Sequence, residues 1–316
     1  MENLKISVCI PVYEADGKGV FFLRKNIKGI LNQTYKNFEI VISDHSIDYE
    51  IQDYVLSLKH PKIKYVRFGI KRGYGAFNTN NAIKNATGDL IKLMNQDDYI
   101  ESSDFFKDAI HLIKSGKKWV LSSFKHLDYE TGNFFRPQIP SFGVKDRARN
   151  AYSMIHALGS LRFPVICKPL KSFPRGHEKQ GEFIESHMHL PLIVLNREDL
   201  LAINDNDTSN FPTSDLYDTF HEVKSIHLLD GINLIGCPSV GLIPKEELID
   251  VNLKYMIDCE LWYRLYKKYG EPGIIEKDFP IIIGMGNHQV TQKMAEVRED
   301  LIEQDKQYCS ILYNNK

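Results

Sequence analysis

The chain has 316 residues, 43% of them hydrophobic and 26% charged, with a formal net charge of -1. That is the balance of a soluble globular protein without the global basic field that nucleic-acid binding draws on, so nucleic acid is not expected as a partner. No stretch approaches the roughly 18 consecutive apolar residues of a membrane span, and five cysteines, odd in number and without a Cys-x-x-Cys pair, fit neither a disulfide framework nor a structural zinc site.

The amino terminus runs straight into a strand with no signal segment, which reads as a protein made and kept in the cytoplasm. Residues 6–12 are a near-continuous apolar run, the pattern of a strand covered on both faces in a parallel sheet. Leu23, Ile27, Ile30 and Leu31 then recur at helical spacing, and residues 38–42 return as a second strand that closes on Ser43-Asp44. A strand over 63–67, a helix over 76–86 and a strand over 90–94 repeat the unit and end at Asn95-Gln96-Asp97-Asp98. A helix over 104–114 and a strand over 119–122 follow. Strands alternating with helices in this way predict a doubly wound α/β sheet, whose ligands bind beyond the carboxyl ends of the strands. Asp44 and Asp97 both fall at such ends.

From 124 to 236 the alternation fails, and Pro, Gly, His and Asn accumulate between short apolar islands. We expect a nucleotide-binding half over 1–123, and an acceptor-binding and catalytic half over 124–285 with an irregular insertion at about 130–225. A C-terminal segment over 286–316 should carry a charged helix from about 290 to 313. Order should return before that helix with Gly236-Cys237-Pro238-Ser239, a helix bearing Asp258 to Tyr269, and a strand near 281–283.

Three acidic motifs therefore stand in a fixed order: Asp44, Asp97-Asp98 and Asp258-Cys259-Glu260. A carboxylate is an acceptor-only group able to take an N–H from a nucleobase, although Asp44 also suits a turn. Two adjacent carboxylates repel unless a cation or a proton offsets them, and hard oxygen ligands suit Mg²⁺ or Mn²⁺. An acid in the first turn of a helix is favoured in its ionised form by the local dipole, as a general base requires, and equally suits plain capping. Glu260, two residues on, points elsewhere around the helix. Lys71-Arg72-Gly73-Tyr74-Gly75 precedes a helix and could bring backbone N–H groups and a cation to a phosphate.

The segments Ser7-Val8-Cys9-Ile10-Pro11-Val12-Tyr13, Asn32-Gln33-Thr34-Tyr35 to Ser43-Asp44, Asn80 to Ile91 and Asn95-Gln96-Asp97-Asp98 together resemble family 2 glycosyltransferases of GT-A fold. The resemblance covers residues 5 to about 115 and resumes from 235 to 264. It implies a GT-A, Rossmann-like, mainly parallel sheet flanked by helices, with an irregular acceptor-side subdomain and a C-terminal helix. It further implies a nucleotide-sugar donor, UDP being the expected nucleotide, a divalent cation (Mn²⁺ or Mg²⁺), and inverting transfer to a glycan or lipid-linked saccharide. A lipid-linked acceptor would allow peripheral contact with the inner face of a membrane. By position, Pro11, Val12, Tyr13, Glu14, Asp44, Arg72, Gly73, Asn80, Gln96 and Asp97 would meet the donor. Asp97, Asp98 and His288 would hold the metal, and Asp258 would be the base. Asn95 departs from the family pattern, standing where the first acid of its Asp-x-Asp is expected. The competing readings are a non-catalytic nucleotide-sugar or glycan-binding module of the same fold and, with less support, a sugar nucleotidyltransferase. The latter usually opens on a glycine-rich phosphate loop that residues 11–17 lack.

Overall fold

The computed structural model describes residues 3–140, 235–289 and 297–314, apart from residue 15, together with 228, 229, 231 and 233. The described elements of the first half, in order, are β1 (Ile6–Val12), α1 (Gly19–Leu31), β2 (Phe38–Asp44), α2 (Glu50–Ser57), β3 (Ile63–Arg67), α3 (Gly75–Lys84), β4 (Leu90–Leu93), β5 (Tyr99–Ile100), α4 (Phe105–Lys114) and β6 (Val120–Ser122). After them come β7 (Phe124–Asp128), β8 (Phe134–Gln138), a 3₁₀ turn (Pro238–Val240), β9 (Gly241–Pro244), α5 (Ile257–Tyr269), β10 (Gly273–Ile275), β11 (Ile281–Met285) and α6 (Arg298–Asn314).

The main sheet has seven strands in the order β10-β6-β9-β4-β1-β2-β3. Four of its pairings are parallel, and the two made by β9 are antiparallel. The apolar run of β1 has neighbours on both edges and is buried at every residue but Pro11. The register sets Val12 opposite Asp44, and Met94 N–H donates to the Cys9 carbonyl, so the carboxyl ends of β1, β2 and β4 finish near one another. That alignment brings the three loops after these strands together, as expected of a doubly wound sheet.

Helix α1 buries Leu23, Ile27 and Ile30 on one face, and α3 covers β1 and β2 with Ala76, Ala82 and Ile83. Each such side chain removed from water stabilises the fold by about 1.5–3 kcal/mol before entropy is counted. Trp119, just before β6, stacks on Trp262 of α5 with ring centroids 6.0 Å apart, joining the sheet to the helix that bears Asp258.

A second sheet, β5-β11-β7-β8, lies in part where sequence predicts irregular chain. Residues 124–128 and 134–138 form a hairpin, and β11 pairs parallel to β7. β9 and β10, from beyond residue 236, complete the first sheet by pairing with β4 and β6, so strands from both sides of position 123 share one sheet. Residues 141–227 of the expected insertion and the 290–296 start of the expected C-terminal helix lie outside the described residues.

Candidate active site at the strand ends

On the donor side, β1 ends in Tyr13, whose ring is 41% exposed and whose N–H donates to Gln96 Oε1 at 2.8 Å. Glu14 N–H donates to the Ser46 hydroxyl at 2.8 Å, and Glu14 Oε1 accepts from Gly19 N–H at the start of α1 at 3.1 Å. Its other oxygen, Oε2, is buried without a hydrogen-bond partner. An acceptor left unpaired away from water costs about 1–3 kcal/mol, so this oxygen is a ready partner for a ligand donor. Arg72 and Gly73 sit exposed on the loop after β3, with Gly73 at φ +84° in the left-handed region.

Three of the residues expected at the donor lie inside the structure. Asp44 is fully buried, and its oxygens accept from Ser46 N–H at 2.7 Å and the Tyr65 hydroxyl at 2.6 Å, with Arg67 Nη1 at 3.9 Å. With both oxygens engaged, it shapes the turn after β2. Asn80 is also buried and clamps Ile249, donating to its carbonyl and accepting its N–H, each at 2.8 Å. Val12 has a buried side chain, and its carbonyl accepts from His45 N–H and Asn78 Nδ2. Val12 and the partly buried Pro11 therefore floor the cleft, while Tyr13 faces it.

The adjacent acids after β4 have different fates. Asp97 Oδ2 lies 3.0 Å from His288 Nε2, and the Asp97 carbonyl accepts from the Tyr129 hydroxyl at 2.9 Å. The His288 ring packs on Phe22 at 4.4 Å and meets Tyr129 edge-on at 5.8 Å. Asp98 instead turns inward and is 1% exposed. Its Oδ1 accepts from Gly284 N–H at 2.8 Å, and its Oδ2 from Asn95 Nδ2 at 3.1 Å and the Cys237 thiol at 3.5 Å. Residue 284 must be glycine for this approach, because a Cβ there would stand 2.4 Å from the Asp97 carbonyl oxygen. Burial first, then the neighbouring Asp97 charge, raises the Asp98 carboxyl well above the usual range. In this structure Asp98 is an internal anchor, with Asn95 as one of its hydrogen-bond donors. Among the described residues no group of three His, Cys, Asp or Glu side chains could hold a metal. Asp97 and His288 remain as a pair.

Below this turn lies a lysine that sequence reasoning passed over. Lys92 is fully buried in β4, donates to the Ser239 carbonyl, and faces the Phe105 ring at 5.0 Å. Desolvation lowers its ammonium to about 7. The signal was present in the sequence, a single cation inside the apolar run 90–94.

Asp258 is the second residue of α5. Its Oδ2 accepts from Asn233 Nδ2 at 2.6 Å and its Oδ1 from Cys259 N–H at 2.9 Å. Burial pushes its carboxyl up to about 6, against the lowering effect of those hydrogen bonds. Burial is thus the largest influence on this carboxyl, and it opposes the hydrogen bonds that favour the ionised form. Glu260 lies on another face, where it takes Arg264 Nε at 2.8 Å. Cys237 stands between the two acidic centres: its thiol contacts Asp98, and the charges of Asp98 and Asp258 both add to the burial that raises it. Asn233 lies in the stretch without motifs and Cys237 just beyond it, and only the fold brings them to Asp258 and Asp98.

Residues 7–175, more than half of the chain, match the model of Glycosyl transferase family 2. The chain belongs to this family. Among curated relatives of this family 2 member, an uncharacterized glycosyltransferase of Rickettsia felis is 32% identical over 174 residues, 55% of this chain and 27% of that one. A UDP-Glc:alpha-D-GlcNAc-diphosphoundecaprenol beta-1,3-glucosyltransferase of Escherichia coli is 28% identical over 142 residues, 44% of this chain and 54% of that one. The chain thus matches between about a quarter and half of these relatives' lengths. A crystal structure of S. aureus TarS in complex with UDP overlaps 39% of this family 2 chain and 36% of its own, at 23% identity and a TM-score of 0.35, too low to bear on the fold.

Proposed function

We propose that the protein is an inverting glycosyltransferase that moves a sugar from a nucleoside diphosphate, UDP, to a hydroxyl of a glycan or lipid-linked saccharide. Family membership supports transferase chemistry. The lipid-linked acceptor is supported by relatives named for diphosphoundecaprenol substrates. The observation that carries the reading is the meeting of two acidic centres across Cys237 at the strand ends: the 95–98 turn on one side and Asp258 on the other.

In this reading Tyr13, Glu14, Gln96, Arg72 and Gly73 bind the donor. The exposed Tyr13 ring offers a stacking face, the unpaired Glu14 oxygen accepts a donor hydroxyl, and Arg72 pairs with phosphate. The family implies a divalent cation, and the donor set fits one, since the Asp97 oxygen and the His288 nitrogen converge within 3.0 Å. A carboxylate and an imidazole suit Mn²⁺ with the remaining positions filled by phosphate oxygens. When bound, the cation neutralises charge on the departing diphosphate.

Asp258 receives the proton. The acceptor oxygen attacks the anomeric carbon, its proton passes to Asp258, and the bond to the diphosphate breaks with its electron pair leaving on phosphate. A carboxylate at about 6 is ionised at neutral pH yet more basic than a solvated aspartate. Asn233 fixes its orientation and keeps one oxygen engaged.

A thermal-shift panel of UDP, GDP, CDP and dTDP, each with Mn²⁺ or EDTA, tests the reading on wild type and Asp97→Ala. Stabilisation by UDP that needs both Mn²⁺ and Asp97 is expected, by about 2–3 kcal/mol at a hundredfold excess over Kd. No response to any diphosphate would overturn the enzyme reading and leave a module that has lost its nucleotide.

A further inference from the structure

We propose that Asp305, in the C-terminal helix, is a positioning residue for Asp258; this inference rests on the transferase reading above. Asp305 is 2% exposed, and its carboxylate is spent on backbone amides just ahead of α5. It accepts from Tyr255 N–H at 2.7 Å, from Met256 N–H at 2.8 Å, and from Lys254 N–H with one oxygen at 3.2 Å and the other at 3.1 Å. Met256 is the N-cap of α5, and its own side chain makes no capping hydrogen bond. Amides at a helix start have no intrahelical acceptor. Here an anion from a distant helix gathers three consecutive N–H groups, two residues before the base.

The same helix grips this segment at further points. Tyr308 donates to Asp250 Oδ2 at 2.9 Å and accepts from Asn252 Nδ2 at 3.0 Å, and Gln304 Oε1 accepts from Lys254 Nζ at 3.0 Å. Two turns beyond Asp305, Tyr313 donates to Glu260, and its ring meets that of Tyr263 edge-on at 4.8 Å. Residues 250–263 are therefore held by α6 on both sides of Asp258, by Asp305 as far as Met256 on one side and by Tyr313 at Glu260 on the other. Helix α6 lies outside the 7–175 segment that matches the family, so the family match does not assign this role. A shift of the 254–256 turn carries the first turn of α5, and the base on it, relative to the donor loops. Those loops stand on β1, β3 and β4, whereas the Asp305 carboxylate is taken up by the amides of 254–256.

The test compares full-length wild type, Asp305→Asn and Asp305→Glu, the latter keeping the charge on a longer arm if the amide variant does not accumulate folded. Three readouts are taken: turnover of the UDP-sugar that wild type uses, UDP affinity with Mn²⁺ by calorimetry, and amide hydrogen exchange. In Asp305→Asn we expect kcat to fall by roughly 10- to 100-fold while UDP affinity and donor KM stay within about twofold. We also expect amides 254–260 to exchange faster with no change in β1 or β4, and Asp305→Glu to move both readouts in the same direction by less. Unchanged kcat, or a parallel loss of UDP affinity as in a general structural failure, would overturn the inference. If wild type turned over no donor, the transferase reading would fall by itself. The exchange pattern would still decide whether Asp305 fixes the start of α5, unchanged protection at 254–260 sinking the inference.

Discussion

Asp258 meets two opposed demands, since a base must be ionised to accept a proton and basic enough to keep it. Enclosure raises its carboxyl to about 6, close to the pH at which it would work. We predict that kcat falls as pH drops below 6, about tenfold per unit, with an acid limb of apparent pKa about 6; a limb near 4 would mean that the group titrates as a solvated aspartate. The same shift has a consequence for stability. The folded protein binds this proton more tightly than the unfolded chain, whose carboxyl sits near 3.8, so the ionised form costs stability above about 6 and the cost fades as pH falls towards 4. Asp258→Asn should therefore be more stable than wild type at pH 7.5, by about 1–3 kcal/mol, and equal to it at pH 4. Urea denaturation at the two pH values checks this, and equal stability at pH 7.5 would contradict it. The Asp97-Asp98 pair marks where sequence reading stops at this scale. Adjacent acids after an apolar strand look alike until β11, 186 residues further on, presents the Gly284 N–H that draws Asp98 inside and leaves Asp97 to His288.

Asn80 illustrates the element scale, where motif position and structural role diverge. It lies in a stretch that resembles the family pattern, yet its amide joins α3 to the loop ahead of α5 through two hydrogen bonds to Ile249. Asn80→Ala should destabilise the fold by about 1–3 kcal/mol, because it strands a buried N–H and C=O. UDP affinity should hardly change, and calorimetry showing a large loss of affinity would return Asn80 to the donor site. The elements read correctly from sequence have several apolar positions in a clear run or period: β1 to β4, β6, β11, α1, α3, α4 and α5. α2 escaped notice because only Ile51 and Val55 of its eight residues are buried. β7, with the burial pattern buried, partly exposed twice, buried and partly exposed, has no strict alternation, and its partner β11 comes more than 150 residues later. β9 is four residues long, begins with glycine and ends in proline, and is a strand because β4 and β6 flank it.

At the scale of the molecule, one sheet is assembled from both halves of the chain, so the proposed donor loops and the proposed base are carried by a common framework. The residues before 123 made the α/β organisation legible, since each crossover is local. Closure of the site was not legible: it depends on β9, β11, Cys237 and α6, which reach the 95–98 turn and Asp258 only through long-range pairing. No helix among the described residues is long and apolar enough to cross a membrane. The most direct test of the account is transfer by Asp258→Asn, measured beside its affinity for UDP with Mn²⁺. Assays would use UDP-sugars and a diphosphoundecaprenol-linked saccharide. The account predicts that transfer falls by roughly a hundredfold or more, as expected for loss of a general base, while UDP binds as it does to wild type. Transfer at the wild-type rate would remove Asp258 from the chemistry, and with it the central claim.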